Sequence, residues 1–208
     1  EKNLIVRTRV DSYGSYNEED RRKTLESGAQ ILSTDYPKKA EMETALQDNK
    51  EKEHPFILAD ELDFEAARKE YKSGKFSVYT KKLSDYVIAN ADTLCDTKAY
   101  PPMEYVLDEE DSILPISREV ISRMVILGYA WQITGKTKYA ERAKAEIEKV
   151  CSYDDWCTSH FLATAEMALA VSIAYDWLYD YLPDETKTLM EEKVWNYAIY
   201  SALNDNHW

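Results

Sequence analysis

The sequence predicts a mainly α-helical protein in which inner and outer helices alternate, as a helical-hairpin solenoid or a closed α/α barrel, preceded by a short βαβ piece. Three observations carry this. From about His54 onward, apolar residues recur at helical spacing in block after block. Glycine is scarce, at 5 of 208 residues, which suits long helices and argues against a loop-rich β-protein. One block, 161–178, is apolar almost all round and lies between two blocks with clear polar faces. Such a helix is expected to be buried on several sides, with its two-faced neighbours outside it.

The elements follow in order. Asn3, Leu4, Ile5 and Val6 form a short apolar run of the kind that makes a buried parallel strand. Asn17 with Glu18, Glu19 and Asp20 reads as a helix start with acids in the first turn; Leu25 lies on its inner face and Gly28 is a natural stop. Residues 29–33 read as a second strand, completing a βαβ-like unit. In such units functional side chains follow the strand ends, which here gives Arg7, Arg9 and Asp11, then Thr34, Asp35 and Tyr36. Residues 38–53 are rich in Lys and Glu and read as a charged, partly helical linker.

Helical blocks then succeed one another. The first is expected from Asp60 to about Ser73, stopped by Gly74. The second runs from Phe76 to about Leu94, with Val78, Leu83, Val87 and Leu94 inward. Tyr100-Pro101-Pro102 breaks the pattern. Ser117 is expected to cap the third, which presents Val120, Ile121, Met124, Leu127, Gly128 and Trp131 on one side and ends at Gly135. The fourth starts at Lys136 or Thr137, with Tyr139, Ala143, Ile147 and Val150 inside. The fifth spans Ser159 to about Tyr181. The sixth begins near Pro183 and turns Leu189, Val194, Tyr197 and Ala198 inward.

Composition bounds the function. With 44% hydrophobic and 31% charged residues, the chain has an ordinary soluble globular make-up. A net charge of −13 without a basic stripe excludes nucleic acid as a partner. No apolar run is long enough to span a bilayer, and no signal peptide is visible. The start at Glu1 and the stop at Trp208 both read as cuts. The 16 tyrosines and 5 tryptophans combine an apolar face with a polar handle, which fits a wet groove or a helical core with snorkelling rings. Cys95, Cys151 and Cys157 show no metal-ligand spacing; they read as buried thiols, or as a 151–157 disulfide in an exported chain.

Two segments resemble known families. Val6-Arg7-Thr8-Arg9-Val10-Asp11, then Asp20-Arg21-Arg22, then Ser27 to Pro37 are similar to the C-terminal end of bacterial calcium-dependent phosphoinositide-phospholipase-C-like barrels. That family's catalytic histidines and calcium ligands lie upstream of this segment. The resemblance therefore implies a barrel remnant with a cleft edge at Arg7, Arg9, Asp11, Asp35 and Tyr36, and calcium only in a longer parent. Two strands cannot close a barrel.

The second resemblance covers about 54–208. Ser117-Arg118 opening a helix, Thr134-Gly135-Lys136 with Tyr139-Ala140, and the stretch from Trp156 to Leu178 are similar to the N-terminal toroid of heparinase II/III-like lyases. The family usually carries Asn-Pro before Ser-His and Asp after Phe-Leu. Here those places hold Cys157-Thr158 and Ala163, departures that bear on local substrate contacts rather than on the fold. The resemblance implies an incomplete (α/α) toroid from an extracellular or periplasmic enzyme that cleaves uronic-acid polysaccharides, glycosaminoglycan or alginate-like, by β-elimination.

That chemistry needs a group to neutralise the uronate carboxylate, a Tyr or His to take the C5 proton, and a Tyr to protonate the leaving oxygen. The family's catalytic Tyr and second His come later than this segment, so the chain alone is expected to be inactive. An Asn-Trp or Asn-His element often precedes them, which points to Asn206 and His207 as cleft residues or, equally, as a polar helix end. His160 reads as a residue at the toroid mouth, or as one that satisfies backbone groups and packs on Trp156. Trp156 and Tyr105 are candidates for stacking on sugars, whereas Trp131 and Trp177 sit at core spacing. Glu166 and Asp176 lie in an apolar helix and need partners, such as Arg118 or Arg123, unless they line a substrate groove. No cofactor is identifiable; an acidic polysaccharide is the expected partner, and the oligomeric state is open.

Overall fold

The structure is a computed structural model. It describes residues 53–73 and 81–204 in full, the backbone of 7–9, 31–33 and 78–80, and Glu19 and Arg22. The chain divides into two compact units, Glu1–Lys52 and Glu53–Trp208.

In the first unit, β1 (Arg7–Arg9) pairs in parallel with β2 (Ile31–Ser33), with Arg7 opposite Ile31 and Arg9 opposite Ser33. Arg7 and Arg9 therefore stand within the paired backbone rather than beyond a strand end. Glu19 and Arg22 are helical. Asp11, Thr34, Asp35, Tyr36 and the linker up to Lys52 lie outside the described residues.

The regular elements described in the second unit are all helical: α1 (Glu61–Ser73), α2 (Val78–Leu94), α3 (Leu114–Thr134), α4 (Thr137–Cys151), α5 (Phe161–Trp177), α6 (Asp184–Lys193), a π-helical turn (Val194–Ile199) and α7 (Tyr200–Asn204). The packing follows two layers. Helices α1, α3 and α5 lie side by side, as do α2, α4 and α6, and chain neighbours from α2 to α6 pack across the layers. This arrangement makes each helix bury a stripe against elements both one and two places away along the chain.

Helix boundaries depart from expectation where capping chemistry differs. Helix α3 starts at Leu114, with Pro115 in its first turn. Proline has its φ preset and lacks only an N–H that would be orphaned there. Ser117 is thus a buried residue of the first turn, its hydroxyl donating to Leu114 O at 3.0 Å, and not the cap. Gly135 ends the helix as predicted, with φ +67 and its N–H on Trp131 O. Helix α5 starts at Phe161, two residues after Ser159.

Helix faces were read well where the pattern is strong. Val120, Met124, Leu127 and Gly128 on α3 and Tyr139, Ala143, Ile147 and Val150 on α4 are buried, while Ile121 and Trp131 of the α3 face are half-buried. On α2 Leu94 is buried and Val87 half-buried as predicted, but the face departs from expectation at Leu83. Leu83 is 63% exposed, whereas Ser84 and Ala91 are buried. Ser84 can be buried because its hydroxyl meets that of Tyr129 at 3.3 Å. Helix α5 packs on α3, α4, α6 and the π turn, but a stripe through Leu162 and Leu169 remains exposed, so it is not enclosed on every side. The long segment after Pro183 buries Met190 and Ala198, while Leu189, Val194 and Tyr197 are half-buried.

A buried ion cluster fastens the α3–α4 pair to the preceding loop. Glu146 is fully buried and takes Arg123 at 2.9 Å, Arg142 at 2.7 Å and the Met103 N–H at 2.7 Å. Arg123 also donates to Pro101 O, and Arg142 to Leu94 O and Tyr100 O. Sequence reading missed this cluster, although Arg142 and Glu146 flank Ala143 and Ile147 on the buried face.

Candidate functional site

Helix α5 is 17 residues long, about 25 Å, and the candidate residues gather at its two ends.

At the N-terminal end, loops 101–113 and 152–160 meet the start of α3. Glu166, one turn into α5, takes Arg118 Nε at 3.3 Å and the Ser117 hydroxyl at 3.3 Å. The expected Arg118–Glu166 pair is therefore present, with Arg118 exposed and Glu166 half-buried. Tyr105 donates its hydroxyl to Asp155 at 2.9 Å and packs edge-on to Tyr153. Burial, then the Asp155 hydrogen bond, pushes the Tyr105 phenol up to about 12. The phenol keeps its proton, which is directed at Asp155, and the residue is partly exposed.

Trp156 does not serve as a stacking platform. It is fully buried, its indole N–H donates to Val150 O at 3.0 Å, and its ring meets Tyr197 edge-on. A helix end leaves carbonyls without intrahelical donors, and the indole satisfies one of them at the end of α4. His160 stands at the cap position of α5, half-buried, and its Nδ1 is buried without a partner among the described residues. It therefore does not satisfy backbone groups through that atom. Cys157, with φ +60, places its sulfur 3.4 Å from Asp111 O. All three cysteines are free thiols; Cys151 and Cys157 are buried and Cys95 is half-buried. Asn206 and His207 lie outside the described residues.

At the C-terminal end, Asp176 finds partners other than Arg118 or Arg123. It is 1% exposed and accepts from His54 Nδ1 at 2.6 Å, from Phe56 N at 2.8 Å and from Ile57 N at 2.6 Å. An ionised carboxylate only accepts, so Nδ1 carries the shared proton and Nε2 of a neutral ring is left as the acceptor. Trp177 adds a bond from its indole to Ile57 O at 2.8 Å, and His54 stacks on Tyr179 at 3.9 Å. Segment 54–57 is thus clamped to the end of α5. Sequence reading noted that Asp176 needed a partner. It could not supply one 122 residues away.

Beside the clamp is a pocket of about 280 Å³. One wall is Arg68, which pairs with Glu61 and donates to the side chain and carbonyl of Gln132, both at 3.3 Å. Gln132 in turn donates to Trp177 O at 2.5 Å. Trp131, His54 and Asp180 are among the other residues that line it.

No family model matches the chain, and no curated protein matches it. Among the described residues, no helix is long and apolar enough to cross a membrane, and no group of three or more His, Cys, Asp or Glu is arranged to hold a metal ion.

Proposed function

We propose that residues 54–208 are the opening hairpins of an α/α toroid in a polysaccharide lyase, and that the parent enzyme cleaves uronic-acid-containing chains by β-elimination. The observation that carries this reading is the alternation of α1, α3 and α5 with α2, α4 and α6 in two layers, combined with the Trp156–Leu178 stretch at its centre. Hairpins of this order are the repeating unit of such toroids.

In the reaction, the C5 proton leaves, a C4–C5 double bond forms, the C4–O bond breaks and the leaving oxygen is protonated. The C5 proton is weakly acidic because the adjacent carboxylate is charged, so donors must first neutralise that carboxylate. Asn206 and His207 are the residues to which the resemblance gives this part, since an amide N–H and an imidazole are the group types it needs. The resemblance puts the proton-transferring Tyr later than this segment, and Tyr105, partly exposed, is left as a sugar-contacting candidate.

The test uses the complete gene product with hyaluronan, heparan sulfate, chondroitin and alginate, read by the ultraviolet absorbance of unsaturated uronate ends. Absorbance is expected on at least one of the four, and none on any of them overturns the proposal. A second reading, a helical carbohydrate-binding module without chemistry, is favoured by charge. Asp108, Glu109, Glu110 and Asp111 of loop 101–113 and Asp154 of loop 152–160 belong to the loops that meet at this end, and Arg118, Lys149 and Lys193 beside them are each already engaged. Binding of a neutral glycan without absorbance would select that reading.

A further inference from the structure

The pocket at the C-terminal end of α5 belongs to neither reading of the opposite end, and its chemistry points to a ligand of its own. At about 280 Å³ it sits at the small end of ligand cavities, the size of one sugar ring. Its walls are set in advance. Asp176 is locked by three N–H donors, Arg68 is held by Glu61 and Gln132, and Gln132 is held by Trp177 O. None of these groups has to reorganise when a ligand enters, which lowers the cost of binding.

Three polar groups of the lining residues are left over. Asp180 is exposed, and its carboxylate has no partner among the described residues. The indole N–H of Trp131 is likewise unpaired there, although its ring packs on Tyr181 at 5.5 Å. The Nε2 of His54 is the third, since Nδ1 is committed to Asp176. A carboxylate, an imidazole nitrogen, an indole donor and a half-exposed aromatic ring make a set that suits vicinal hydroxyls and the C–H face of a pyranose.

Charge decides between sugar classes. Glu61, Asp176 and Asp180 oppose Arg68, and His54 adds a further cation only when protonated. An anionic ring would place its carboxylate among three others, while a neutral ring meets no such repulsion.

We propose that this pocket is a binding site for a single neutral pyranose unit, separate from any uronate-handling site. The proposal goes beyond the lyase reading and does not depend on it.

The experiment titrates the full 208-residue chain with methyl β-D-glucopyranoside, methyl β-D-galactopyranoside and methyl β-D-mannopyranoside. The corresponding methyl glucuronide is titrated in parallel. The readout is the indole N–H resonance of Trp131, assigned by its loss in Trp131→Phe. Saturable millimolar shifts are expected with at least one neutral glycoside, at least fivefold weaker with the glucuronide. Asp180→Asn, an exposed substitution that leaves folding intact, should weaken binding severalfold. No shift with any neutral glycoside, an unchanged affinity in Asp180→Asn, or tighter binding of the glucuronide would each overturn it. Ultraviolet absorbance from the complete gene product reads the lyase proposal independently, so either can fail alone.

Discussion

Trp156, Asp176 and Glu146 show what a side chain's sequence neighbours conceal. Trp156 follows Tyr153, Asp154 and Asp155, a polar context that suggests an exposed ring. The ring is buried all the same, with its indole N–H satisfied by the Val150 carbonyl six residues earlier. Asp176 stood out as a charge in an apolar helix, so the need for partners was legible. The partners were not, because His54, Phe56 and Ile57 reach it only through the tertiary fold. Glu146 looks like one more glutamate of a charged outer helix, yet two buried arginines depend on it. Removing one member of a buried ion cluster leaves the others uncompensated. Glu146→Ala should therefore cost about 3–5 kcal/mol in urea-monitored unfolding, whereas Glu65→Ala, at an exposed α1 ion pair screened by solvent, should leave the urea midpoint essentially unchanged.

Titration at residue level also has a sign. Burial pushes the Cys151 thiol from its ordinary 9.0 up to about 12, and burial with the Asp155 hydrogen bond raises Tyr105 from 10.0 to about 12. Tyr139, Tyr153 and Tyr175 are raised too, each first by burial. The folded chain keeps these protons where the unfolded chain releases them. Stability is therefore intact below about pH 9 and falls as pH rises toward 12. The urea midpoint should hold steady from neutral to about pH 9 and drop continuously above it. A midpoint that stayed level through pH 11 would contradict the assignment of these groups to the core.

At the scale of elements, helix existence was legible and helix phase was not always. The stripes of α3 and α4 are continuous, so their faces could be read directly. Helix α2 carries Leu83 and Tyr86 outward and Ser84 inward, because a hydroxyl partner on α3 made the small polar residue the better fit there. Propensity and period cannot anticipate such a pairing. The α3–α5 contact is similarly specific. A Cβ on Gly128 would sit 2.9 Å from the ring of Trp177, which is itself buried and tied to Ile57. Helix propensity alone favours alanine over glycine by about 1 kcal/mol. Overpacking costs about 1–3 kcal/mol and wins here. Gly128→Ala should lower the melting temperature, and Gly128→Ala with Trp177→Phe should recover part of the loss. A melting temperature raised by the single substitution would show that the two helices can part.

For the whole molecule, α5 is an axle with different chemistry at its two ends. The end predicted from sequence holds Tyr105, His160 and the Arg118–Glu166 pair within an acidic rim. The end revealed by the fold holds a clamped histidine and a pocket with unspent polar groups. The layered helices position both ends without committing either to a reaction. The lyase proposal therefore turns on the product of the whole enzyme. The most direct measurement is the mass of oligosaccharides released from a uronan by the complete gene product, compared with its His207→Ala variant. Elimination predicts fragments lighter by one water than hydrolysis would leave, with the rate in His207→Ala lowered about a hundredfold or more. Fragments carrying the added water, or a variant as fast as the parent, would contradict the account.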